Sequence, residues 1–226
     1  MHLSLSDKIE LNILHHNSHQ AELNKIRFND LKLICLNIMS SPGAGKTKFL
    51  EKTLEDLIIN FRVAVLEGDM TTNLDAMRLE KLRIPIVPIT TGRACHLDAN
   101  MVSGGLKILE TKINPELLDI LLVENVGNLV CPAEFEIGEH FKIVLLSITE
   151  GEDKPLKYPI MFREADLVLI TKIDLLPYLN FDIQELKSNI LSTNSKTEII
   201  EISSISKTGF DLWENWIMDK IKDFKA

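Results

Sequence analysis

Short apolar runs rich in Val, Ile and Leu recur along the chain between residues 33 and 202. The runs do not alternate with polar residues, which is typical of strands that are covered on both faces of a sheet. Segments with helical periodicity separate them, and right-handed crossovers through such helices imply a mostly parallel sheet in a three-layer α/β fold. Two prolines in the third run indicate an edge strand or an irregular strand. The predicted strands are 33–39, 62–67, 84–89, 119–124, 142–148, 166–171 and 198–202.

Amphipathic segments flank the predicted sheet at both ends. The first has apolar residues at helical spacing and is expected to pack on the main domain, and the segment 210–224 fits a closing helix. We therefore divide the chain into an N-terminal helical extension, residues 1–30, and an α/β domain, residues 31–226. His15 and His19 would share one face of the first helix, where a solvated surface is favoured over a metal site. The apolar positions are Leu5, Ile9, Ile13, Leu14, Leu23, Ile26 and Phe28.

Composition limits the classes of function. Hydrophobic residues make up 45% of the chain, which suits one domain with a substantial core. The net charge of −8 argues against a broad surface for nucleic acid. No apolar stretch is long enough to span a membrane and the first residues do not open a signal peptide, so we expect a cytoplasmic protein. The odd number of cysteines, three, favours metal binding or plain burial over a disulfide framework.

A phosphate-binding loop is predicted directly after the first strand. Residues 40–47 read Ser-Ser-Pro-Gly-Ala-Gly-Lys-Thr and precede a segment with helical periodicity. The two glycines allow backbone N–H groups to surround phosphate oxygens, and the helix N-terminus adds further donors. Lys46 can reach the β- and γ-phosphates, and Thr47 can bind Mg²⁺. Because Ser40 replaces the first Gly of the general motif, an ordinary Gly-rich turn is the alternative.

Carboxylates end two of the predicted strands. Ligands of parallel α/β sheets bind at the carboxyl ends of the strands, so these side chains are candidates for a site. Asp69 could hold Mg²⁺ through water or orient the attacking water, whereas Asp75 in the next loop could equally cap a helix. Glu124 lies where a Walker B carboxylate is expected, and a carboxylate without a metal role is the alternative. Gly127 could place its backbone N–H near a γ-phosphate.

The end of a later strand, Thr171-Lys172-Ile173-Asp174, resembles the guanine-reading Asn-Lys-x-Asp motif of GTP-binding proteins. Asp174 would accept hydrogen bonds from guanine N1 and the exocyclic amine, contacts that adenine cannot make. Lys172 would lay its aliphatic stem over the base. Thr171 stands in the place of Asn, which removes one amide contact. The motif therefore supports selectivity for guanine but does not settle it alone. Ser203 and Ser204 end the last strand, where a backbone N–H commonly reads guanine O6.

Sulfur and nitrogen ligands form a second candidate site. Cys95 and His96 are adjacent, and Cys131 lies in the loop that follows Glu124 and Gly127. Such ligands suit Zn²⁺ or Ni²⁺, and a fourth ligand could come from water or from a second subunit. Spacing alone supports a metal site and two unrelated buried cysteines equally.

Together these motifs resemble one family, the hydrogenase nickel-incorporation GTPases (HypB). The resemblance runs through most of residues 33–216 and implies a GTPase that uses GTP, GDP and Mg²⁺. It further implies delivery of Ni²⁺ to the large subunit of a [NiFe] hydrogenase during maturation. The motifs are SSPGAGKT at 40–47, EGD at 67–69, CHLDANMV at 95–102, ENVGNLVCPAEFEIGE at 124–139 and the long block 147–182.

The resemblance also implies partners and site residues. It indicates a homodimer when GTP is bound, a nickel chaperone as a further partner, and Ni²⁺ or Zn²⁺ held at the interface by Cys95, His96 and Cys131. Lys154 would lie near the nucleotide or the dimer contact, with a solvated loop Lys as the alternative. Asn100 occupies a position that is often His in the family, which reduces the ligand set. The expected nucleotide-binding residues are Gly43, Ala44, Gly45, Lys46, Thr47, Lys48, Gly127, Lys154, Lys172, Asp174, Ser203 and Ser204.

These expectations combine into a hypothesis with three rivals. Lys46 and Mg²⁺, the latter held by Thr47, Asp69 and Glu124, would stabilise charge on the transferred phosphoryl group, and nucleotide state would control dimerisation and metal release. The rivals are a urease-type nickel accessory GTPase, a metal-binding protein with a regulatory nucleotide site, and an ATP-using small-molecule kinase. Asp174 counts against the kinase.

Overall fold

Seven parallel strands form one sheet within residues 5–69, 79–92 and 94–225, which the computed structural model describes. The predicted α/β fold is therefore confirmed. The strands are β1 Ile34–Ser40, β2 Val63–Asp69, β3 Ile86–Thr90, β4 Ile120–Glu124, β5 Phe141–Ser147, β6 Leu167–Thr171 and β7 Glu198–Ile202. Their order across the sheet is β3-β2-β4-β1-β5-β6-β7, so β3, which contains Pro88, lies at an edge, one of the two predicted alternatives.

β1 lies at the centre of the sheet, and every one of its residues is buried. Its alternate side chains point to opposite faces, so Ile34, Leu36 and Ile38 join one hydrophobic core and Cys35 joins the other. This explains why the strand reads as a continuous apolar run. The register pairs Ile38 with Glu124, which brings the carboxyl ends of β1 and β4 side by side.

Helices cover both faces of the sheet. The helices in the described residues are α1 Leu5–Asp30, α2 Lys46–Leu57, α3 Ala99–Lys112, α4 Cys131–Glu134, α5 Lys154–Lys157, α6 Pro159–Arg163, α7 Ile183–Thr193 and α8 Phe210–Lys225. α2 and α8 pack on one face, where Phe49 contacts Trp213 edge-on at 5.3 Å between ring centroids. α3, α6 and α7 pack on the other face. None of the described helices is both long and apolar enough to cross a lipid bilayer.

The N-terminal helix is present and Phe28 packs in the core as predicted, but three other predicted positions are exposed. Ile13, Leu23 and Ile26 are 53%, 47% and 57% exposed. Among the described side chains of α1, the buried ones are two asparagines, one alanine and Phe28, at helical spacing. Amide hydrogen bonds to the main domain, described below, add to the apolar contact of Phe28. The buried residues are Asn17, Ala21, Asn24 and Phe28.

Asn17 and Asn24 attach α1 to two segments of the α/β domain. The amide of Asn17 donates to Glu136 O at 2.8 Å, and its oxygen accepts from Ala99 N at 2.9 Å. The amide of Asn24 donates to Ala99 O at 2.8 Å and to Ile137 O at 3.0 Å. α1 therefore bridges the start of α3 and the segment after α4. The division into residues 1–30 and 31–226 stays a prediction.

Candidate nucleotide site and metal centre

The phosphate loop joins the end of β1 to the start of α2. Gly43 and Gly45 have φ values of 80° and 97°, which a residue with a Cβ rarely adopts. The ammonium of Lys46 donates to Ser40 Oγ at 2.9 Å. Ser40, which departs from the general motif, therefore holds the lysine over the loop. The geometry suits a phosphate cradle that leads directly into the N-terminus of α2.

Thr47 and Glu124 bring two oxygens together beside this loop. Thr47 Oγ1 donates to Glu124 Oε1 at 3.0 Å, and both side chains are buried. A hydroxyl and a carboxylate in this position are oxygen ligands of the kind that Mg²⁺ prefers. Asp69 is the last residue of β2, but its side chain lies outside the described part of the chain, as does the whole of Asp75. A magnesium role for Asp69 therefore stays a prediction.

Gly127 touches the phosphate loop. A Cβ built on Gly127 would lie 3.1 Å from both the N and the Cα of Pro42, so the close approach of the two backbones favours glycine. The segment after β4 thus lies against the loop that would hold the phosphates. This proximity was expected from the sequence, whereas a bond to a γ-phosphate stays a prediction.

A cavity of about 300 Å³ opens beside the phosphate loop. Thr171 Oγ1 donates to Ala44 O at 2.8 Å, and Lys172 Nζ donates to Gly43 O at 2.8 Å. Thr171 therefore braces the phosphate loop, although it cannot supply the second amide contact of an Asn. The cavity is lined by Ala44, Gly45, Lys48, Thr171, Lys172, Asp174, Leu175, Ser204 and Ile205.

Ser203 fixes the carboxylate of Asp174 in this cavity. Its hydroxyl oxygen accepts the N–H groups of Ile205 and Ser206, each at 3.2 Å, and the hydroxyl donates to Asp174 Oδ1. Ser203 is fully buried, whereas Asp174 is partly exposed toward the cavity. The sequence suggested only a backbone contact at this position, so the side-chain role of Ser203 was missed.

The loop after β5 approaches the phosphate loop through Glu150, a residue that the sequence reasoning did not single out. Glu150 accepts from Ser41 Oγ and, at 2.9 Å, from Ser147 N. Lys154 begins α5, and its ammonium lies 5.6 Å from the centroid of the Tyr158 ring. Lys154 does not line the cavity beside Asp174. Its contact with nucleotide or with a second subunit stays a prediction.

Cys95, His96 and Cys131 come together as a group. Their ligand atoms all lie within 4.8 Å of one another, and the two sulfurs are 2.9 Å apart. Both cysteines are free thiols. The three side chains are partly exposed, and the ring of His96 packs on Phe135 at 4.0 Å between centroids. The alternative of two unrelated buried cysteines is therefore wrong, whereas Cys35 is buried in the core as expected.

Protonation matters for this group because a metal binds thiolate and neutral imidazole. Burial lowers the pKa of His96, which favours the neutral ring. The hydrogen bond with Cys95, followed by burial, raises the pKa of Cys131. A metal ion at this site must therefore displace a proton from Cys131.

Neighbouring polar residues hold the backbone of this candidate metal site. Asn128 Nδ2 donates to Cys95 O at 3.3 Å, and Asn125 Oδ1 accepts from Leu97 N at 2.9 Å. Neither asparagine was proposed from the sequence, although their place between Glu124 and Cys131 was a usable signal. Asn100 is exposed in the first turn of α3.

The phosphate loop, the carboxylate at the end of β4 and the Asp174 cavity are the parts of a P-loop nucleotide-binding site. The family described as CobW/HypB/UreG, nucleotide-binding domain, matches residues 34–201. That range includes the phosphate loop and the Cys95, His96 and Cys131 cluster.

Within that class, the chain belongs to the HypB family of hydrogenase maturation factors. It is 47% identical over 210 residues to hydrogenase maturation factor HypB of Escherichia coli K12, covering 93% of this chain and 71% of that protein. It is 40% identical over 216 residues to hydrogenase/urease maturation factor HypB of Helicobacter pylori J99, covering 96% and 88%. The crystal structure of HypB from Helicobacter pylori in complex with nickel has a TM-score of 0.88 and 40% identity, covering 92% of this chain and 96% of that chain.

Proposed function

We propose that this protein hydrolyses GTP and inserts nickel during maturation of a [NiFe] hydrogenase. The observation that carries the proposal is the position of Gly127, whose backbone lies on the phosphate loop a short distance along the chain from Cys131. A change at the phosphates can therefore reach a metal ligand through a short stretch of backbone. The name of the Escherichia coli relative and the nickel in the Helicobacter pylori structure support the choice of cargo and process.

GTP is the proposed nucleotide because of Asp174. Its carboxylate lines the cavity and is oriented by the buried hydroxyl of Ser203. In that position it can accept from guanine N1 and the exocyclic amine, and adenine would leave it unpaired. Lys172 lies with its ammonium on Gly43 O, so its aliphatic stem borders the same space. Thr171 contributes by bracing Ala44.

The proposed catalytic residues are Lys46, Asp69 and Glu124. Lys46 lies in the phosphate loop and can exchange its bond to Ser40 for the β- and γ-phosphates. Thr47 and Glu124 would hold Mg²⁺, together with Asp69, and the bound ion would neutralise charge on the phosphate oxygens. Asp69 would orient the attacking water.

Nickel is the cargo of the proposed reaction. Cys95 and Cys131 would bind it as thiolates and His96 as neutral imidazole, a set that also accepts Zn²⁺. Three protein ligands leave a position for water or for a residue of a second subunit, which suits a homodimer formed with GTP. The proposed recipient is the hydrogenase large subunit, and a nickel chaperone is the proposed donor. A cytoplasmic location stays a prediction.

Nickel titration in two nucleotide states tests this function. The dissociation constant for Ni²⁺ and the dimer fraction should differ between a non-hydrolysable GTP analogue and GDP, and Cys95→Ala should abolish tight binding in both. His15→Ala is the matched control, because it removes an exposed imidazole of α1 and should change neither value. Equal nickel affinity in Cys95→Ala and the wild type would refute the site. Equal values in the two nucleotide states would refute nucleotide control.

A urease-type role is the second candidate function. It is favoured by one observation, the name hydrogenase/urease maturation factor of the Helicobacter pylori relative. Activation of purified apo-urease and apo-hydrogenase by the nickel-loaded protein separates the two roles. A metal-binding protein with a merely regulatory nucleotide site is the remaining rival, and absence of steady-state phosphate release from GTP would favour it.

A further inference from the structure

A series of buried polar side chains, joined by hydrogen bonds, lies between the nucleotide site and the candidate metal site. Asn37 in β1 is fully buried and Asn125, directly after β4, is 1% exposed. Asn125 Nδ2 donates to Asn37 Oδ1 at 3.2 Å, and Asn37 Nδ2 donates to Glu139 Oε1 at 3.2 Å. The second oxygen of Glu139 accepts from Ile137 N at 2.8 Å. A polar link thus crosses an otherwise apolar layer.

The oxygen of Asn125 binds the backbone that carries two metal ligands. It accepts from Leu97 N and from Val126 N, each at 2.9 Å. Leu97 follows His96 directly in the chain. Because a backbone N–H can only donate, these two bonds fix which end of the Asn125 amide faces Leu97. The direction of every further bond to Asn37 and Glu139 then follows.

Leu97 is held tightly at this point. Its side chain is fully buried, and a Cβ built on Gly68 would lie 2.7 Å from its Cγ. Gly68 belongs to the end of β2, next to Asp69. The backbone after His96 is therefore fixed on one side by β2 and on the other by Asn125. Such close packing transmits a displacement instead of absorbing it.

The other contacts of Asn125 belong to the nucleotide side. Its backbone N donates to Ile38 O at 3.0 Å, and its neighbour Glu124 accepts from Thr47 at 3.0 Å. A shift of residues 124–127 toward a bound γ-phosphate must either move Leu97 with it or break bonds that are closed to water. Buried polar groups without partners are costly, so the coupled movement is favoured.

We propose that Asn125 is a positioning residue that transmits the nucleotide state to the segment carrying Cys95 and His96. This inference rests on the proposed function, in which nucleotide state changes nickel affinity. It adds a route to that function. The backbone that follows Gly127 leads to Cys131. The side chain of Asn125 instead binds Leu97 N, in the backbone segment that carries Cys95 and His96. Both halves of the ligand set then respond together.

The test measures a ratio of nickel affinities. Dissociation constants for Ni²⁺ are determined by titration with GDP and with a non-hydrolysable GTP analogue, for the wild type and for Asn125→Asp. Aspartate has the same shape, but neither of its oxygens can donate to Asn37. Repulsion between its second oxygen and Asn37 Oδ1 turns the carboxylate away from the position in which Asn125 accepts from Leu97 N, so the bond that would transmit the movement is weakened. We expect a ratio of at least about fivefold in the wild type, as is typical of coupled sites, and less than twofold in Asn125→Asp.

Two further variants keep the result interpretable. Asn194→Asp is the matched control, because it likewise removes an amide donor, here to the backbone carbonyls of Arg163 and Ala165, but lies at the end of α7. It should keep the wild-type ratio. Asn37→Ser shortens the side chain that orients the Asn125 amide, so it should lower the ratio as Asn125→Asp does. It provides the test if Asn125→Asp does not fold.

The outcomes separate this inference from the function on which it rests. A wild-type ratio above fivefold that persists in both Asn125→Asp and Asn37→Ser overturns the role of Asn125 and leaves the proposed function intact. A wild-type ratio of one overturns both. A ratio that collapses equally in Asn194→Asp shows a general loss of structure and also overturns the inference.

Discussion

Replacement of Asn24 by alanine should loosen α1 from the domain that carries the candidate metal site. Asn24 is 3% exposed, and its amide donates to Ala99 O at 2.8 Å and to Ile137 O at 3.0 Å. One of these carbonyls lies at the start of α3, shortly after His96, and the other lies in the segment after α4. Asn24→Ala removes both bonds and leaves their acceptors without this donor.

The magnitude follows from the two lost hydrogen bonds. Each contributes about 1–1.5 kcal/mol of net stability, so their loss costs about 2–3 kcal/mol. Alanine is a better helix former than asparagine and returns about 0.5 kcal/mol. The free energy of unfolding should therefore fall by about 2 kcal/mol. For a chain of this size that corresponds to a decrease in Tm of about 4–8 °C.

Differential scanning calorimetry of two variants checks this value. Asn12→Ala is the matched control, since it makes the same substitution on the same helix at an exposed position. It should leave Tm unchanged or raise it slightly through helix propensity. A difference in Tm of about 1 °C is well below the expected shift. If the Tm values of Asn24→Ala and Asn12→Ala differ by less than that, the amide contacts do not hold α1 in place.

Three further predictions concern the sites and their response to pH. Asp174→Ala should weaken GTP binding about 10- to 100-fold and remove the preference for GTP over ATP, because hydrogen bonds to a charged group are lost. Competitive nucleotide titration measures this change. A variant that still prefers GTP would contradict the prediction. Nickel affinity should fall between pH 8 and pH 6, since the raised pKa of Cys131 makes a proton compete with the metal, and Cys131→Ala should make that dependence shallower. Burial, then Lys25, lowers the pKa of His140 to about 4. As the pH falls, His140 is protonated in the unfolded chain at about pH 6.5 and in the folded protein only near pH 4. The free energy of unfolding is therefore highest above about pH 6.5. It falls by about 1–2 kcal/mol as the pH approaches 4, after allowance for solvent screening. Urea unfolding of the wild type and His140→Gln at pH 7 and pH 5 checks this, and parallel losses in both would refute it.

The sequence by itself determined the class of fold and most of the nucleotide site. Continuous apolar runs separated by helical segments define buried parallel strands, and ligands bind where such strands end. The phosphate loop, Glu124 and Asp174 could therefore be found from local spacing alone. Cys95, His96 and Cys131 could be named as candidates by their chemistry, since thiolate and imidazole are ligands that Zn²⁺ and Ni²⁺ accept.

Only the tertiary structure decided which polar residues connect these parts. The bond between Asn37 and Glu139 joins positions 102 residues apart, and that between Asn24 and Ile137 joins positions 113 apart. No periodicity along the chain encodes such pairs. A buried amide is stable only where the partner segment supplies a donor or acceptor in the right direction, so its role depends on which segments meet in space. For the same reason the buried positions of α1 include Asn17 and Asn24, which the apolar pattern did not single out.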